Sequence, residues 1–201
     1  KKMFKRDYMK TLNLEELSYW ERKYYFEEID FLVVGAGIVG YTTAISLKDK
    51  YPDAKVLVVE RGMLPSGAST KNAGFACFGS ATELLDDLTN MDEQTVWKTV
   101  AKRWEGLQTL RSLVGDANLE LETNGSWDLI LPNEKNQVAD IQAKIPYLNE
   151  QLFAITGQQN GLSEDKTCAQ KFGFSGLETS FYNRLEGQII TGKMMGRLHQ
   201  I

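Results

Sequence analysis

The stretch that decides the fold is DFLVVGAGIVGYTTAISLKDKYPDAKVLVVER, residues 30–61. A short apolar strand over 31–34 leads into a glycine-rich turn at 35–40. A helical pattern follows, and a second apolar strand over 56–59 ends at Glu60. This order of strand, GxGxxG turn, helix and second strand with a terminal acid is typical of a βαβ unit that binds a dinucleotide. The sequence therefore predicts such a unit.

Each glycine of the turn has its own reason to be there. Gly35 permits the tight turn out of the strand, Gly37 lets the backbone approach a pyrophosphate, and Gly40 lets the helix pack close to the sheet. The helix, predicted over about 38–50, would direct its N-terminal N–H groups at the phosphates. Glu60 follows Gly40 by 20 residues, where a carboxylate can accept hydrogen bonds from ribose hydroxyls. The motif leaves FAD and NAD open, and the acid indicates a ribose without a 2′-phosphate.

The next segment, RGMLPSGASTKNAGFACFGS over residues 61–80, consists mainly of small residues. Such a segment suits a backbone that lies against an extended ligand. The hydroxyls of Ser69 and Thr70 can donate to phosphate oxygens, and Gly74 permits close approach to a ring system. Apolar residues at 75–78 argue against a freely solvated loop. These features shift the balance toward a flavin.

VVGAGIVGYTTAISL…VLVVERGMLPSGASTKNAGFACFGS resembles the D-amino acid oxidase (DAO) superfamily of FAD-dependent oxidoreductases. The resemblance is strongest over residues 30–90 and returns at LEGQI and TGKMM, within 185–195. It implies an α/β fold, in which a Rossmann-like FAD-binding βαβ unit is joined to part of an α+β substrate domain with an antiparallel sheet. It also implies FAD as cofactor and oxidation of an amine, amino acid or related C–H donor by hydride transfer to flavin. Family members are longer, so the chain corresponds to an N-terminal portion, and residues that bind a substrate carboxylate would come from the other half.

Carried over by position, the resemblance assigns the first group of cofactor contacts. Glu60 would hold the adenosine ribose, and Arg61 would sit beside the adenine. The residues expected along the pyrophosphate are those of the turn: Gly35, Ala36, Gly37, Ile38, Val39 and Gly40.

The second group of contacts lies in the small-residue segment. By the resemblance, Ser69 and Thr70 would face the phosphates, while the residues approaching the isoalloxazine would be Ala73, Gly74 and Phe75. Lys71 and Asn72 are the polar residues best placed near the flavin. Cys77 lies close by, and we favour a small buried apolar role over covalent attachment to flavin. Spacing alone identifies no catalytic residue.

The composition is that of an ordinary soluble globular protein, with 201 residues of which 42% are hydrophobic and 25% charged. A net charge of −4 without a basic face argues against nucleic acid as a partner. Two cysteines without motif spacing favour a reducing, cytoplasmic location over a disulfide framework. No apolar run approaches a membrane span, and the basic first ten residues lack the apolar region of a secretory signal. The single histidine, His199, argues against a zinc site or a histidine triad, so no metal is expected.

We expect four segments along the chain. These are an N-terminal extension with a helix over 1–29, the FAD-binding unit over 30–82, a helical segment with a partial substrate domain over 83–185, and a return segment over 186–201.

The N-terminal helix is predicted over 13–29, with Asn13 as N-cap and Glu16 as its capping-box partner. Trp20 and Tyr24 fall at helical spacing and are interpreted as core contacts, with an interface role as the weaker alternative.

After the predicted βαβ unit, whose second strand should be buried on both faces, the pattern becomes helical. Thr82 is expected to cap one helix, and a second should run from Asp92 to Gly115. Strands over 119–122 and 126–131, joined by Asn124-Gly125, predict a hairpin.

Two further helices are predicted over 134–144 and 146–156, with Pro146 in the first turn of the second helix and Gly157 after it. Ser163 is expected to cap a short helix, and residues 180–184 to form a strand.

Two alternatives to a flavin enzyme remain. An NAD-dependent oxidoreductase using the same βαβ unit predicts nicotinamide binding and no yellow colour. A non-catalytic flavoprotein half that folds only by self-association, or by pairing with a second chain that supplies the C-terminal half, predicts exposed apolar surface. In the favoured hypothesis the partner is a small-molecule substrate.

Overall fold

The computed structural model describes residues 14–201, without the side chain of Leu14, so the predicted cap Asn13 lies outside the described residues. The chain divides into two compact units, one ending at Pro65 and the other running from Ser66 to Ile201. The two units are defined by how the chain packs and not by function, so the four functional segments expected from the sequence stay a prediction.

The segment before the first strand forms short helical pieces instead of one long helix. A 3-10 turn (Leu14–Glu16) is followed by α1 (Tyr19–Glu21) and a π-helical turn (Arg22–Phe26). The capping box is formed by Ser18, whose side chain accepts from the Glu21 N–H while the Glu21 carboxylate accepts from the Ser18 N–H. Ser18 and Glu21 therefore cap α1, while the predicted Asn13–Glu16 box includes a residue outside the described part of the chain and stays a prediction.

Trp20 and Tyr24 are not core contacts, because 73% and 75% of their surfaces are exposed. The helical pitch changes along the segment, so the i, i+4 spacing does not produce one continuous apolar face. The backbone is instead tied to the following strand region, since Lys55 Nζ donates to the carbonyls of Tyr24 and Glu27 at 2.8 and 2.6 Å. The expectation of core packing was wrong for both rings.

The first unit contains the βαβ arrangement that the sequence predicts. Strand β1 (Phe31–Val34) leads to α2 (Ile38–Lys50) and then to β2 (Val56–Val59). The strands are parallel, with Phe31 opposite Val56. β2 is half-buried and not buried on both faces, because only one strand pairs with it in the described part of this unit.

The second unit mixes helices with two small antiparallel sheets. Its elements are β3 (Phe75–Ala76), α3 (Ala81–Asn90), α4 (Glu93–Val114), α5 (Asp116–Leu119), β4 (Ser126–Ile130), a 3-10 turn (Pro132–Gln137), α6 (Val138–Thr156), β5 (Leu162–Glu164), α7 (Cys168–Phe172), β6 (Thr179–Asn183), β7 (Gly187–Gln188) and α8 (Thr191–Gln200). β6 lies between β4 and β5, and β3 pairs with β7. Together with the βαβ unit, this α+β body confirms the predicted fold class.

The core of the second unit lies between α3, α4, α6 and the three-stranded sheet. Its apolar side chains come from all of these elements, so burial of this cluster holds the helices on the sheet. The fully buried members include Phe78, Leu84, Val96, Val100, Leu148, Leu152 and Phe181.

Asp92 and Gly115 bound α4 as predicted, with the Asp92 carboxylate accepting from the Thr95 N–H at 2.9 Å. The cap of α3 is Ser80, whose side chain accepts from the Glu83 N–H. Thr82 was therefore the wrong residue for this cap.

The predicted hairpin at Asn124-Gly125 is wrong. Residues up to Leu119 belong to helix α5, and β4 pairs with β6 along its whole length. The Gly125 N–H donates to the carbonyl of Glu186, so the turn residues contact a distant segment instead of closing a local hairpin.

Residues 138–156 form one helix that contains Pro146, where the sequence predicted a break before a second helix. Gly157 ends this helix in the left-handed conformation, as expected. Ser163 lies in β5 and caps no helix, because Asn149 and β6 form hydrogen bonds with the backbone N–H and carbonyl groups of this strand. The strand predicted over 180–184 is confirmed as β6.

Candidate functional site

The glycine turn of the first unit brings backbone atoms unusually close together. Gly35 has a φ of +100°, and its N–H donates to the carbonyl of Val59 at 2.7 Å. A Cβ on Gly40 would lie only 1.8 Å from the Gly35 carbonyl oxygen. Any side chain at position 40 would therefore separate α2 from the turn.

The N-terminus of α2 is not neutralised by its own residues. Its N-cap, Gly37, offers no side-chain acceptor, and the first turn contains no acidic residue. The Tyr41 N–H donates to the Gly37 carbonyl at 3.0 Å, which begins the helical hydrogen-bond ladder. The positive end of the helix dipole thus lies at the turn, an arrangement that favours an anionic group such as a phosphate.

Glu60 is brought to the same turn from the end of β2. Its Oε2 accepts from the Ala36 N–H at 2.9 Å, and its Oε1 accepts from the Gly62 N–H at 3.2 Å. The first of these hydrogen bonds is the main reason that the pKa of the Glu60 carboxyl lies below its usual range. Because the carboxylate is exposed and retains further acceptor capacity, it fits the hydroxyls of an adenosine ribose.

The remaining predicted contacts of the first unit have different surroundings. Ile38 is half-buried, while Val39 and Arg61 are exposed. The structure therefore brings the turn and Glu60 together, and Arg61 follows them at the surface.

The predicted contacts in the second unit lie in a loop that is held by its own side chains. Asn72 Nδ2 donates to the Ala68 carbonyl at 2.8 Å, and Asn72 Oδ1 accepts from the Gly74 N–H at 2.9 Å. Thr70 Oγ1 donates to the Gly67 carbonyl at 3.3 Å, and both Ser69 and Thr70 are half-buried. Asn72 thus fixes the loop, and its contact with a flavin stays a prediction.

From residue 73 onward the chain alternates between an exposed and a buried face. Ala73, Phe75 and Cys77 are exposed, whereas the residues between them are buried. Gly74 lies on the buried face with a φ of +77°, where a Cβ would come within 2.3 Å of the Ile189 carbonyl oxygen. Packing against residue 189 is therefore one reason for this glycine, and the open face presents Ala73 and Phe75.

Cys77 is exposed, which corrects the expectation of a buried apolar residue. Atoms on its inner side still desolvate the thiol, and this burial, together with the charges of Glu186 and Glu83, raises the pKa of Cys77 above its usual value. Because the thiolate is the nucleophilic form, a raised pKa disfavours covalent attachment of a flavin here.

A cavity of about 500 Å³ lies beside β4 in the second unit. Phe75 and Cys77 line it from the loop, and aromatic side chains line it from the sheet and from the end of α7. Its lining includes Phe75, Cys77, Trp127, Asp128, Phe172 and Phe174.

The sequence reasoning missed the cavity residues beyond the loop. Trp127 contacts Phe172 edge-to-face at a centroid distance of 5.1 Å, and its Nε1 donates to Asp165 Oδ2 at 2.8 Å. These residues are far apart in the sequence and follow no motif, so only the tertiary structure places them together.

Residues 14–201 contain neither a cluster of metal ligands nor a helix that could span a bilayer. These residues contain no group of three or more histidine, cysteine or acidic side chains arranged to hold a metal ion. None of the helices formed by them is long and apolar enough to span a bilayer. His199 is exposed near the end of α8.

Comparison with known proteins gives a family and a fold. The model of a family described as FAD dependent oxidoreductase, DAO, matches residues 30–199. The L-2-hydroxyglutarate dehydrogenases of Salmonella houtenae and Escherichia coli (strain K12) are 43% identical over 37 residues, which is 18% of this chain and 9% of theirs.

Three solved structures have a similar fold at low sequence identity. Glycine oxidase from Geobacillus kaustophilus is 20% identical with a TM-score of 0.52, covering 84% of this chain and 42% of its own. Iminodiacetate oxidase from Chelativorans sp. BNC1 is 16% identical with a TM-score of 0.57, and the match covers 85% of this chain and 43% of that protein. L-proline dehydrogenase from P. horikoshii is 16% identical with a TM-score of 0.54, and the match covers 86% of this chain and 41% of that protein. The chain therefore spans less than half the length of these structures.

Proposed function

Because the chain belongs to the DAO family of FAD-dependent oxidoreductases, whose cofactor is FAD, we propose that it forms the cofactor-binding portion of an enzyme that oxidises an amine, amino acid or related C–H donor. One observation carries this proposal. The turn at 35–40, the N-terminus of α2 with its N-cap Gly37, and the Glu60 carboxylate lie together in the first unit.

The residues of the first unit would hold the adenosine diphosphate part of the cofactor. The N-terminus of α2 would take the pyrophosphate, for which it offers N–H groups and a positive dipole end. Glu60 would accept from the ribose hydroxyls, and its lowered pKa keeps it in the accepting, ionised form at neutral pH. When bound, FAD would supply the redox chemistry, as the acceptor of a hydride from the substrate.

The residues of the second unit would orient the substrate. The cavity beside β4 is a candidate substrate site because Phe75 and Cys77, from the loop that the family resemblance places near the flavin, line it. Among its described lining residues are three carboxylates, Glu83, Asp128 and Glu186, and neither lysine nor arginine. Glu83 is paired with Arg103 at 2.8 Å and Glu186 is buried, so Asp128 is the carboxylate that would attract the amino end of a substrate at this wall.

The names of the related proteins support the same substrate class. Glycine oxidase, iminodiacetate oxidase and L-proline dehydrogenase are named for amino acids or a related amine, and L-2-hydroxyglutarate dehydrogenase for a hydroxy acid. The proposed donor is therefore a carbon that bears an amine or a hydroxyl group.

The first test is a visible absorption spectrum of the purified chain, with the released cofactor identified after denaturation and then a titration with FAD and NAD⁺. Bound FAD supports the proposal. Nicotinamide binding without flavin would favour the NAD-dependent alternative. A colourless protein that takes up neither cofactor would favour a requirement for a second chain, which the 58% and 79% exposure of Leu32 and Val34 already makes worth testing.

A variant pair tests the ribose contact. Glu60→Gln removes the charge that accepts from the Ala36 N–H and is expected to weaken FAD binding by about tenfold, the effect of losing one charge-assisted hydrogen bond. Asp53→Asn removes an exposed carboxylate from the same unit and should leave FAD affinity unchanged. Equal affinities for the two variants would contradict the role of Glu60.

A further inference from the structure

The Phe78–Gly79 dipeptide, which follows the exposed residues of the loop, is held by side chains from distant parts of the second unit. The Phe78 and Gly79 N–H groups both donate to Glu186 Oε1, at 2.8 and 2.9 Å. The Gly79 carbonyl accepts from Asn183 Nδ2 at 3.1 Å, and the Phe78 carbonyl accepts a long hydrogen bond of 3.5 Å from Arg103. All four backbone polar groups are thus satisfied by side chains, which fixes both peptide planes.

Glu186 is the centre of this arrangement. Its surface is only 2% exposed, and its second oxygen, Oε2, accepts from Ser126 Oγ at 2.6 Å. None of the ion pairs among residues 14–201 includes Glu186. A buried carboxylate without a cation is costly, so two amide N–H groups and a hydroxyl compensate its charge here.

We propose that Glu186 is a positioning residue: its buried carboxylate clamps the Phe78–Gly79 peptides and thereby sets how the open face of the loop, with Phe75 and Cys77, is presented to the cavity. The clamp joins the loop to β4 through Ser126 and to β7, whose first residue follows Glu186. This inference rests on the proposed function, in which that face approaches the flavin and the substrate.

Neighbouring contacts make the clamped dipeptide a rigid support. Phe78 is 1% exposed and meets Trp104 edge-to-face at 5.2 Å. Gly79 has a φ of +151°, and a Cβ there would lie 2.7 Å from a Leu84 methyl carbon. Side chains pack against both Phe78 and Gly79. The hydrogen bonds that Glu186 accepts from this dipeptide therefore determine the direction in which the backbone presents Cys77.

Three variants distinguish the effect of the clamp from the effect of the Glu186 charge and from a general loss of stability. Glu186→Ala removes the acceptor of both N–H groups. Glu186→Gln keeps one acceptor oxygen for them and removes the charge. Glu164→Ala is the matched control, because Glu164 accepts from Thr179 and Gln142 in the same unit and has no contact with the loop.

Two quantities are measured for each variant. The first is the rate constant of Cys77 alkylation as a function of pH, followed by mass spectrometry without FAD, and the second is the affinity for FAD. The plateau of the profile reports access to Cys77, and its midpoint reports the local charge. Cys168, which is 1% exposed, reports global unfolding in the same sample.

We expect E186A to raise both the alkylation plateau and the FAD dissociation constant by about tenfold, equivalent to one lost net contribution of about 1.4 kcal/mol. E186Q should restore both to within about twofold of the parent while shifting the midpoint to lower pH, because one of the charges that raise the Cys77 pKa is gone. E164A should change neither quantity.

Equal plateaus and FAD affinities for E186A and E164A would overturn the proposal, as would failure of E186Q to restore them. Should E186A not fold, Glu186→Asp replaces it, since it keeps the charge but withdraws the carboxylate by one methylene; an unchanged Cys77 plateau in E186D would then refute the clamp. If the parent chain binds no FAD, the proposed function is not supported for this chain alone, whereas the alkylation profile still decides whether the clamp exists.

Discussion

The most direct test of the glycine turn is Gly40→Ala, because the structure gives the size of the perturbation. The added Cβ would lie 1.8 Å from the Gly35 carbonyl oxygen, and real Cβ atoms do not come closer than 3.0 Å to such a neighbour, so α2 and the turn must separate by at least 1.2 Å, the difference between the two distances. Alanine would otherwise favour the helix by about 1 kcal/mol, whereas overpacking against fixed backbone costs about 3 kcal/mol. We therefore expect a net loss of about 2 kcal/mol.

The same displacement should weaken cofactor binding. Hydrogen bonds from N–H groups to phosphate oxygens hold only over about 2.7–3.2 Å, so a shift of more than 1 Å removes them. The assay is thermal unfolding followed by circular dichroism, together with FAD titration by quenching of flavin fluorescence.

Gly106→Ala is the matched control. Gly106 lies inside α4, and a Cβ there would meet nothing within 4 Å. This variant should gain about 0.5–1 kcal/mol from helix propensity and leave FAD affinity unchanged. If G40A were as stable as G106A and bound FAD like the parent, the close approach inferred for Gly40 would be refuted.

Three further outcomes test other parts of the fold. Ser80→Ala should lower the free energy of unfolding by about 1 kcal/mol, measured by urea denaturation, because Ser80 caps α3. Pro146→Ala should raise the melting temperature, since alanine restores an N–H donor inside α6 and removes the ring, and an unchanged or lower value would count against an uninterrupted helix. Arg111 lowers the pKa of Asp116, so this carboxyl stabilises the fold above the ordinary Asp value of about 3.9 and ceases to do so as pH falls through its lower folded value. Asp116→Asn should therefore cost less than about 1 kcal/mol at pH 7 and progressively less as pH falls through the lowered pKa of Asp116. The small size reflects the exposure of the pair, and a pH-independent cost would contradict the ion pair.

Local signals in the sequence predicted the βαβ arrangement of the first unit well. The glycine turn, the helix over Ile38–Lys50 and the acid at Glu60 depend on contacts within about thirty residues of chain, so the pattern contains most of the information. The cap at Asp92 and the helix end at Gly115 were predicted for the same reason.

Two of the failed predictions share a cause, which is competition from distant partners. Asn124-Gly125 has the composition of a hairpin turn, yet Gly125 bonds to Glu186 and the following strand pairs with β6. Serine is a favoured helix-cap residue, yet Ser163 lies in a strand, because Asn149 accepts from the Leu162 N–H and β5 pairs with β6. Turn and cap propensities are worth about 1 kcal/mol, and strand pairing with burial exceeds that.

The two stretches that carry the family resemblance in the second unit prove to be the two sides of one contact. The Ile189 N–H donates to the Gly74 carbonyl at 2.8 Å, β3 pairs with β7, and Glu186 clamps Phe78 and Gly79. More than a hundred residues of chain separate these sides, so their joining closes a long loop and must follow or accompany formation of the intervening core. The loop that would face the flavin is thus ordered by the completed second unit, which explains why its glycines and small residues could be read from the sequence while its support, Glu186, could not.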